Sequence, residues 1–487
     1  MLKIFLQFFS LTVGTQICLA VNQLVLLPLQ LRVWGQTETA YWLVALAIAN
    51  LCSISDVGLR SIGHAQLLSS VHYGDSSDAR YFKQIWALTR GVMLGFTIAV
   101  IAGSALVCLT RAEPFQIWPL VLIVTLSLDT LLIVRGSWLD TLGNFRPVEG
   151  LFFGMVAFRN IFSVLALLVF HAGPAVLTYV MLGTGIGAVV AQASILKEPK
   201  SLGLLVSGWR AVGWHIGGVI PFAVTDPAAG WIRFSLPVMI LATMASPVNL
   251  TTFVAMRALF SLGRQVIAQL SRFASIRYAE QISHDTDQAE AVMGGFILLA
   301  TLAASAVACA IIGDHGRLLA LWLNGVDPAL EPWIALSFAV GAAGNSFQVI
   351  SATQMRTGQI VRVALCQYIY IAASLVAAAI GYWCRSVLLY LALLAAQEVL
   401  IGIVFMSCLR GRLLWLNAGA FLVALSATVL FWLAANFGLG EIFRERTFAA
   451  ALDCTVLGGT CILVVILAYV GIYDVVFGLP RLRHRRL

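Results

Sequence analysis

The stretch PLQLRVWGQTETAYWLVALAIANLCSISDVGLRSIGHAQL, residues 28–67, decides the architecture. It holds the end of one long apolar segment, a short polar turn at residues 35–39, a second apolar segment, and an abrupt charged stop at Asp56-Val57-Gly58-Leu59-Arg60. Two membrane spans joined by a tight turn fit this pattern. The same plan of span, short turn, span and basic exit returns at residues 237–277. Residue identity between the two copies is near chance, so the repeat is one of hydropathy.

Composition extends this reading to the whole chain. Of its 487 residues, 60% are hydrophobic and 11% charged, and the mean hydropathy is +0.93, far too apolar for an ordinary soluble domain. Only helices and closed barrels satisfy their backbones in hydrocarbon. The apolar runs are continuous rather than alternating, which excludes a barrel. The chain therefore reads as an all-α, polytopic membrane protein. Its net charge of +8 arises from Lys and Arg scattered over short loops, which suits membrane topology rather than nucleic acid. Nine cysteines lie almost wholly in apolar runs without a CxxC and read as small core hydrophobes. No cleavable signal is evident, because residues 1–9 lead into a span too long for a signal h-region.

A crossing helix needs about 20 apolar residues. On that basis spans are expected near 8–34, 40–60, 82–109, 115–140, 147–170 and 174–196, then near 212–244, 248–268, 289–312, 331–355, 361–383 and 387–409. A final pair at 413–436 and 449–476 precedes a basic tail, giving about 14 transmembrane helices. The domains expected are residues 1–200 and 201–410, each a six-helix lobe, and 411–487, two additional helices with the tail. Dealing the loops alternately to two sides places Lys3, Arg80, Lys83, Arg146, Lys197, Lys200, Arg210, Arg264, Arg272, Arg277, Arg356, Arg362, Arg410, Arg412 and the tail arginines on the side of the N-terminus. The other side receives only Arg32, Arg111, Arg317, Arg385, Arg444 and Arg446. The positive-inside rule then puts both termini in the cytoplasm. No loop has room for a soluble catalytic or ATP-binding domain and there is no P-loop, so any pumping draws on an ion gradient or on the substrate's own.

Charges inside spans need a reason, because each near the bilayer centre costs roughly 2.5–3.5 kcal/mol on insertion scales. Arg60, Arg90, Arg135, Arg159, Arg233 and Arg257 fall within spans, as do Asp129, Asp226 and Glu398. Arg60 stands four residues after Asp56, the spacing of a same-face ion pair, and Arg135 is near enough to an end to snorkel. Arg159, Arg233 and Arg257 are too deep for that. With Arg90 they are the candidate substrate-binding residues of a net-positive, water-filled cavity, whose natural ligand is an anion that suits a guanidinium fork, phosphate or carboxylate. Asp129 and Asp226 are candidates for ion coupling, binding a cation or proton, or else structural partners of a neighbouring Arg. Pro227 is expected to break its helix beside Asp226. Glycine pairs Gly91/Gly95, Gly183/Gly187 and Gly341/Gly344 read as close-packing faces. The seven histidines show no metal spacing, GxSxG is absent, and no nucleophile or acid pair stands out: no catalytic residue, metal or cofactor is expected, and the protein reads as not an enzyme.

At residues 34–81 the chain resembles the bacterial polysaccharide flippases of the multidrug/oligosaccharidyl-lipid/polysaccharide exporter superfamily. The likeness rests on Pro28 in a long first span, Gly35 and Tyr41-Trp42 at the turn, Asp56-Val57-Gly58-Leu59 closing the second span, and Gly74-Asp75 with Ala79-Arg80 opening the third. In the second half, Ala255-Met256-Arg257-Ala258-Leu259 through Arg272 to Glu280 is similar to that family's eighth span and its exit, with Ile276-Arg277 where a proline is common. The resemblance implies two six-helix lobes in a V around a cavity. It also implies movement of an undecaprenyl-pyrophosphate-linked oligosaccharide from the cytoplasmic to the outer leaflet of the bacterial inner membrane by alternating access, with a polysaccharide polymerase and export machinery as partners. A lipid II flippase, an ion-coupled drug exporter of the same superfamily, and a membrane-embedded glycosyltransferase or polysaccharide polymerase are the alternatives.

Overall fold

A single residue makes the break at residues 35–39. In helix α1 (Leu27–Ala49), Gly35 adopts φ 78° and ψ −179°, a region that glycine reaches without steric cost. The Thr39 hydroxyl donates to the Gly35 carbonyl at 2.7 Å, and the rings of Trp34 and Trp42 meet edge-on at 5.6 Å. Eight residues of straight helix would hold those positions about 12 Å apart along the axis, so the chain bends sharply here.

The computed structural model describes residues 15, 18–19, 22–56, 91–105, 116–141, 145–195, 224–281, 286–323, 327–344, 347–356, 360–407, 409 and 411–437. Among them all regular structure is helical. After α1 come α2 (Gly91–Ala105), α3 (Trp118–Thr141), α4 (Phe145–Phe170), α5 (Pro174–Ile195), α6 (Thr225–Phe234), α7 (Leu236–Met244), α8 (Pro247–Gln281) and α9 (Thr286–Trp322). Then follow α10 (Glu331–Gly344), α11 (Phe347–Arg356), α12 (Ile360–Cys384), α13 (Val387–Met406) and α14 (Gly411–Phe437). Eight described segments are long and apolar enough to cross a membrane, or nine if the pair Glu331–Ala342 and Phe347–Gln354, bent by 40°, is one span. The chain is a multi-pass, all-helical membrane protein. Arg60, Arg90, residues 201–210, the last expected span at 449–476 and the basic tail lie outside the described residues.

The helices look outward as lipid requires. Along α4, Phe158, Ile161, Phe162, Leu165, Leu168 and Val169 are exposed at i, i+3/i+4 spacing, a stripe that water would not tolerate. Buried hydroxyls are satisfied within their own helices: Thr125 donates to the Val121 carbonyl, Thr178 to Pro174, Thr301 to Ile297 and Thr428 to Ala424, as half-buried Ser127 does to Ile123. This back-bonding is how a Ser- and Thr-rich chain enters hydrocarbon without orphaned donors. Helix starts carry their usual signals. Pro174 and Pro247 open α5 and α8, where a missing N–H costs nothing, and the Ser386 hydroxyl accepts the Leu389 N–H at 3.3 Å ahead of α13.

The chain divides into two compact units, Met1–Thr251 with Ser374–Arg385, and Thr252–Ala373 with Ser386–Leu487. In the first, Trp42 stacks on Trp118 at 5.4 Å, Tyr41 meets Trp118 at 5.5 Å, and the Trp34 indole donates to the Ala172 carbonyl at 2.7 Å. The Gly35 bend, the start of α3 and the α4–α5 turn thus share one end, as alternating spans demand. The Trp231 indole donates to the Ala47 carbonyl at 3.1 Å, fastening α6 to α1. In the second unit Phe338 lies between Phe253 and Phe260 at 4.9 and 5.9 Å, and the Trp432 indole of α14 donates to the Pro332 carbonyl at 2.8 Å.

Three details depart from the sequence reading. Pro227 sits in the first turn of α6, where its missing N–H removes no bond. The described break falls instead at Ser235, between α6 and α7, just ahead of Pro237. α8 and α9 run to 35 and 37 residues, well past their apolar stretches. Of the glycines read as packing faces, Gly91, Gly95, Gly183 and Gly187 meet no described neighbour where a Cβ would stand, whereas at Gly341 that Cβ would lie 3.3 Å from Glu398 Cγ. A Gly341→Leu protein is expected to lose about 1–3 kcal/mol by overpacking, visible as a lower unfolding temperature in detergent, while Gly183→Leu leaves it unchanged.

Candidate functional site

Asp129 on α3 and Arg159 on α4 were singled out separately as intramembrane charges, and the fold brings them together. Arg159 Nη1 donates to Asp129 Oδ2 at 2.5 Å and Nη2 to Oδ1 at 2.9 Å, a two-pronged pair whose side chains retain 11% and 12% exposure. α5 completes the site. Arg159 Nε donates to the Thr184 hydroxyl at 3.2 Å, and Nη2 also reaches the Met181 carbonyl at 3.2 Å. A Cβ at Gly185 would stand 3.6 Å from both Arg159 Nη2 and Asp129 Oδ1, in ordinary contact, so the pair lies directly against the backbone of α5. Next to it the Asn160 amide donates to the Cys18 carbonyl at 2.5 Å.

This is the structural-partner alternative for Asp129. Arg159 does stand in a polar setting deep in its helix, but its charge is balanced by a carboxylate, so it adds no net positive potential. Arg135, one to two turns further along α3, donates to Gln192 of α5 at 3.4 Å. The two remaining described candidates lie elsewhere. Arg233 is half-buried in the last turn of α6 while Asp226 is exposed in its first turn, an arrangement in which each charge complements the helix dipole. Arg257 is half-buried on α8 in the second unit, in a run where Ala255 and Met256 are fully buried.

Residues the sequence reading did not connect form a counterpart in the second unit. The Tyr370 hydroxyl of α12 donates to Glu398 Oε1 of α13 at 3.1 Å, and the Glu398 stem packs on Gly341 of α10. Helix directions match between the units. α3 and α5 run parallel, since Asp129 lies by Gly185 and Arg135 by Gln192; α10–α11 and α13 also run parallel, since Gly341 lies by Glu398 and Phe347 by Phe405. The helix between them in sequence is antiparallel in both cases, α4 pairing Gly136 with Val148 and α12 pairing Cys366 with Val404. Each unit thus sets a carboxylate on one parallel helix against a glycine on the other, with a donor from the third. Acid and glycine have changed places, and the donor is a guanidinium in one and a phenol in the other. Sequence spacing held the clue in the first unit: Asp129 and Arg159 are nearly equidistant from the α3–α4 turn.

No family model and no curated protein matches the sequence. Solved structures do. A lipid II flippase MurJ in an inward closed conformation aligns with TM-score 0.64 at 10% identity, covering 96% of this chain and 99% of that one. The chain shares that fold. An inward-facing multidrug resistance MATE family transporter of the MOP superfamily aligns with TM-score 0.56 at 12% identity over 87% of this chain and 98% of its own. An outward-facing one gives 0.53 at 13% over 87% and 96%. The likeness is to flippase and transporter structures and lies in the fold, not in shared residues.

Proposed function

We propose that the protein is a flippase that carries an undecaprenyl-pyrophosphate-linked oligosaccharide from the cytoplasmic to the outer leaflet of the bacterial inner membrane, for surface polysaccharide assembly by a polymerase and export machinery. The observation that supports this most is the likeness to a lipid II flippase over nearly the full length of both chains. Arginines within the spans add to it, because a diphosphate headgroup leaving the aqueous face needs guanidinium donors in their bidentate geometry. Arg233 and Arg257 are the described candidates to meet it, Arg90 is a further one from sequence, and Arg159 joins them only when it exchanges Asp129 for the headgroup. Both termini face the cytoplasm in this reading, and Asp226 remains a candidate for ion coupling.

An ion-coupled drug exporter is the second reading, favoured by the two MATE structures that share the fold. Such a protein needs an acid for its cationic cargo, and Asp129 is already engaged by Arg159. Liposomes containing the protein and a labelled undecaprenyl-pyrophosphate oligosaccharide separate the readings. The labelled lipid is expected to change leaflets without chemical conversion, and Arg257→Gln to slow that movement roughly tenfold, the loss typical of one charge-assisted bond. Movement of lipid II alone, of a lipophilic cation alone, or chemical turnover of the sugar lipid would replace this reading with the corresponding alternative.

A further inference from the structure

Arg159 is held in two separable ways. Nε and Nη2 are fixed to α5 by the Thr184 hydroxyl and the Met181 carbonyl, while the edge formed by Nη1 and Nη2 is occupied by Asp129. That edge is the one a phosphate uses, since carboxylate and phosphate oxygens present the same two-point bite to a guanidinium. The α5 anchors can therefore persist while the occupant of the edge changes. The pair is not sealed, with 11% and 12% of its side chains exposed, and Gly185 presents only backbone to it.

From this geometry we propose that Asp129 is a tethered competitor for the Arg159 guanidinium. It holds the edge when no headgroup is bound, yields it to the phosphate oxygens of the passenger, and displaces them again by reclaiming it. The inference rests on the flippase reading for the identity of the anion. A guanidinium that met a diphosphate without competition in a low-dielectric site would hold it too tightly to let it leave. A carboxylate supplied by the protein offsets that attraction in each cycle without a covalent step: the Arg159 guanidinium stays paired throughout, while the displaced Asp129 carboxylate, left uncompensated, draws it back. Asp129 is then a positioning and release residue. Of the other charged groups on the three helices, Arg135 bonds to Gln192, Asp140 stands at the end of α3 and Arg146 and Glu149 near the start of α4, and the α5 sequence has no Asp, Glu, Lys or Arg.

The test is equilibrium binding of undecaprenyl pyrophosphate to the full-length protein in nanodiscs, together with leaflet transfer of the labelled sugar lipid in liposomes. Asp129→Asn is expected to bind roughly tenfold tighter, about the effect of removing a competing charged bond, and to transfer the lipid more slowly because release limits it. Arg159→Gln loses affinity, and the double variant binds no tighter than Arg159→Gln alone. A folded Asp129→Asn protein with unchanged or weaker affinity overturns the proposal and leaves the pair a packing device. Should that variant fail to fold, the swap Asp129→Arg with Arg159→Asp decides. It rebuilds a neutral pair but moves the guanidinium off its α5 anchors, so the proposal expects folded protein with about tenfold weaker binding, and wild-type binding overturns it. Wild-type protein that neither binds nor moves the lipid refutes the flippase reading itself, whereas normal wild-type transfer with unchanged Asp129→Asn affinity refutes only the competitor.

Discussion

Replacing Asp129 by alanine is expected to destabilise the protein by about 3–5 kcal/mol, the cost of leaving one member of a buried ion pair uncompensated. Arg159 would keep its bonds to Thr184 and Met181 but lose both bonds to a carboxylate, in surroundings that include the buried cluster of Leu132, Met155, Val156 and Ala188. The double variant Asp129→Leu with Arg159→Met is expected to recover most of the loss, because removing both charges removes the desolvation penalty with the attraction. Thermal unfolding in detergent across the four proteins of the cycle checks this. An additive double variant would mean that the two groups do not interact energetically, whatever their distance.

The second large effect is expected at Trp42. Its side chain is 3% exposed, touches Trp34 edge-on at 5.6 Å and stacks on Trp118 at 5.4 Å. Trp42→Ala opens a cavity the size of an indole, which costs about 3–5 kcal/mol, part of it the loss of the paired ring geometry. The consequence reaches further than the cavity. Trp34 also donates to the Ala172 carbonyl, so the ring cluster ties the Gly35 bend to the start of α3 and to the α4–α5 turn. Loss of Trp42 should therefore expose the segment around residues 35–42 to proteolysis before the rest of the first unit unfolds. Trp42→Phe, which retains a ring, should recover about half of the stability. Equal sensitivity of Phe and Ala variants would argue that the indole itself is needed.

What the sequence revealed and what it hid follow from physics that differs by residue. The bend at Gly35 was legible because a glycine followed by the polar run Gln36-Thr37-Glu38-Thr39 between two apolar runs has few other readings. The apolar runs were legible because hydropathy registers contact with lipid directly. The ends of α8 and α9 were not, since a helix can continue as a polar element once it leaves the hydrocarbon, and hydropathy marks the edge of the lipid rather than the last hydrogen bond. The break before Pro237 was assigned to Pro227 because sequence cannot show which proline falls in a first turn. Asp129 and Arg159 were each recognised as costly charges, yet their union was one option among several until depth was compared. Each lies a similar number of residues from the facing ends of α3 and α4, which at ~1.5 Å per residue puts them at one level. The aromatic cluster and the contact of Tyr370 with Glu398 had no signal of this kind, because rings and phenols pair at no fixed spacing.

The ion pair lies 30 residues apart in sequence, on two consecutive helices joined by a short turn. That separation matters during biosynthesis. A lone mid-span charge resists partitioning from the protein-conducting channel into lipid by roughly 2.5–3.5 kcal/mol, but α3 and α4 can leave the channel together as a neutral hairpin. Tyr370 and Glu398, 28 residues apart on α12 and α13, repeat the arrangement. In both units the group that would hinder lateral release is synthesised within one hairpin of its partner, a guanidinium that cancels the charge in the first and a phenol that hydrogen-bonds the carboxyl in the second, which favours membrane entry two helices at a time.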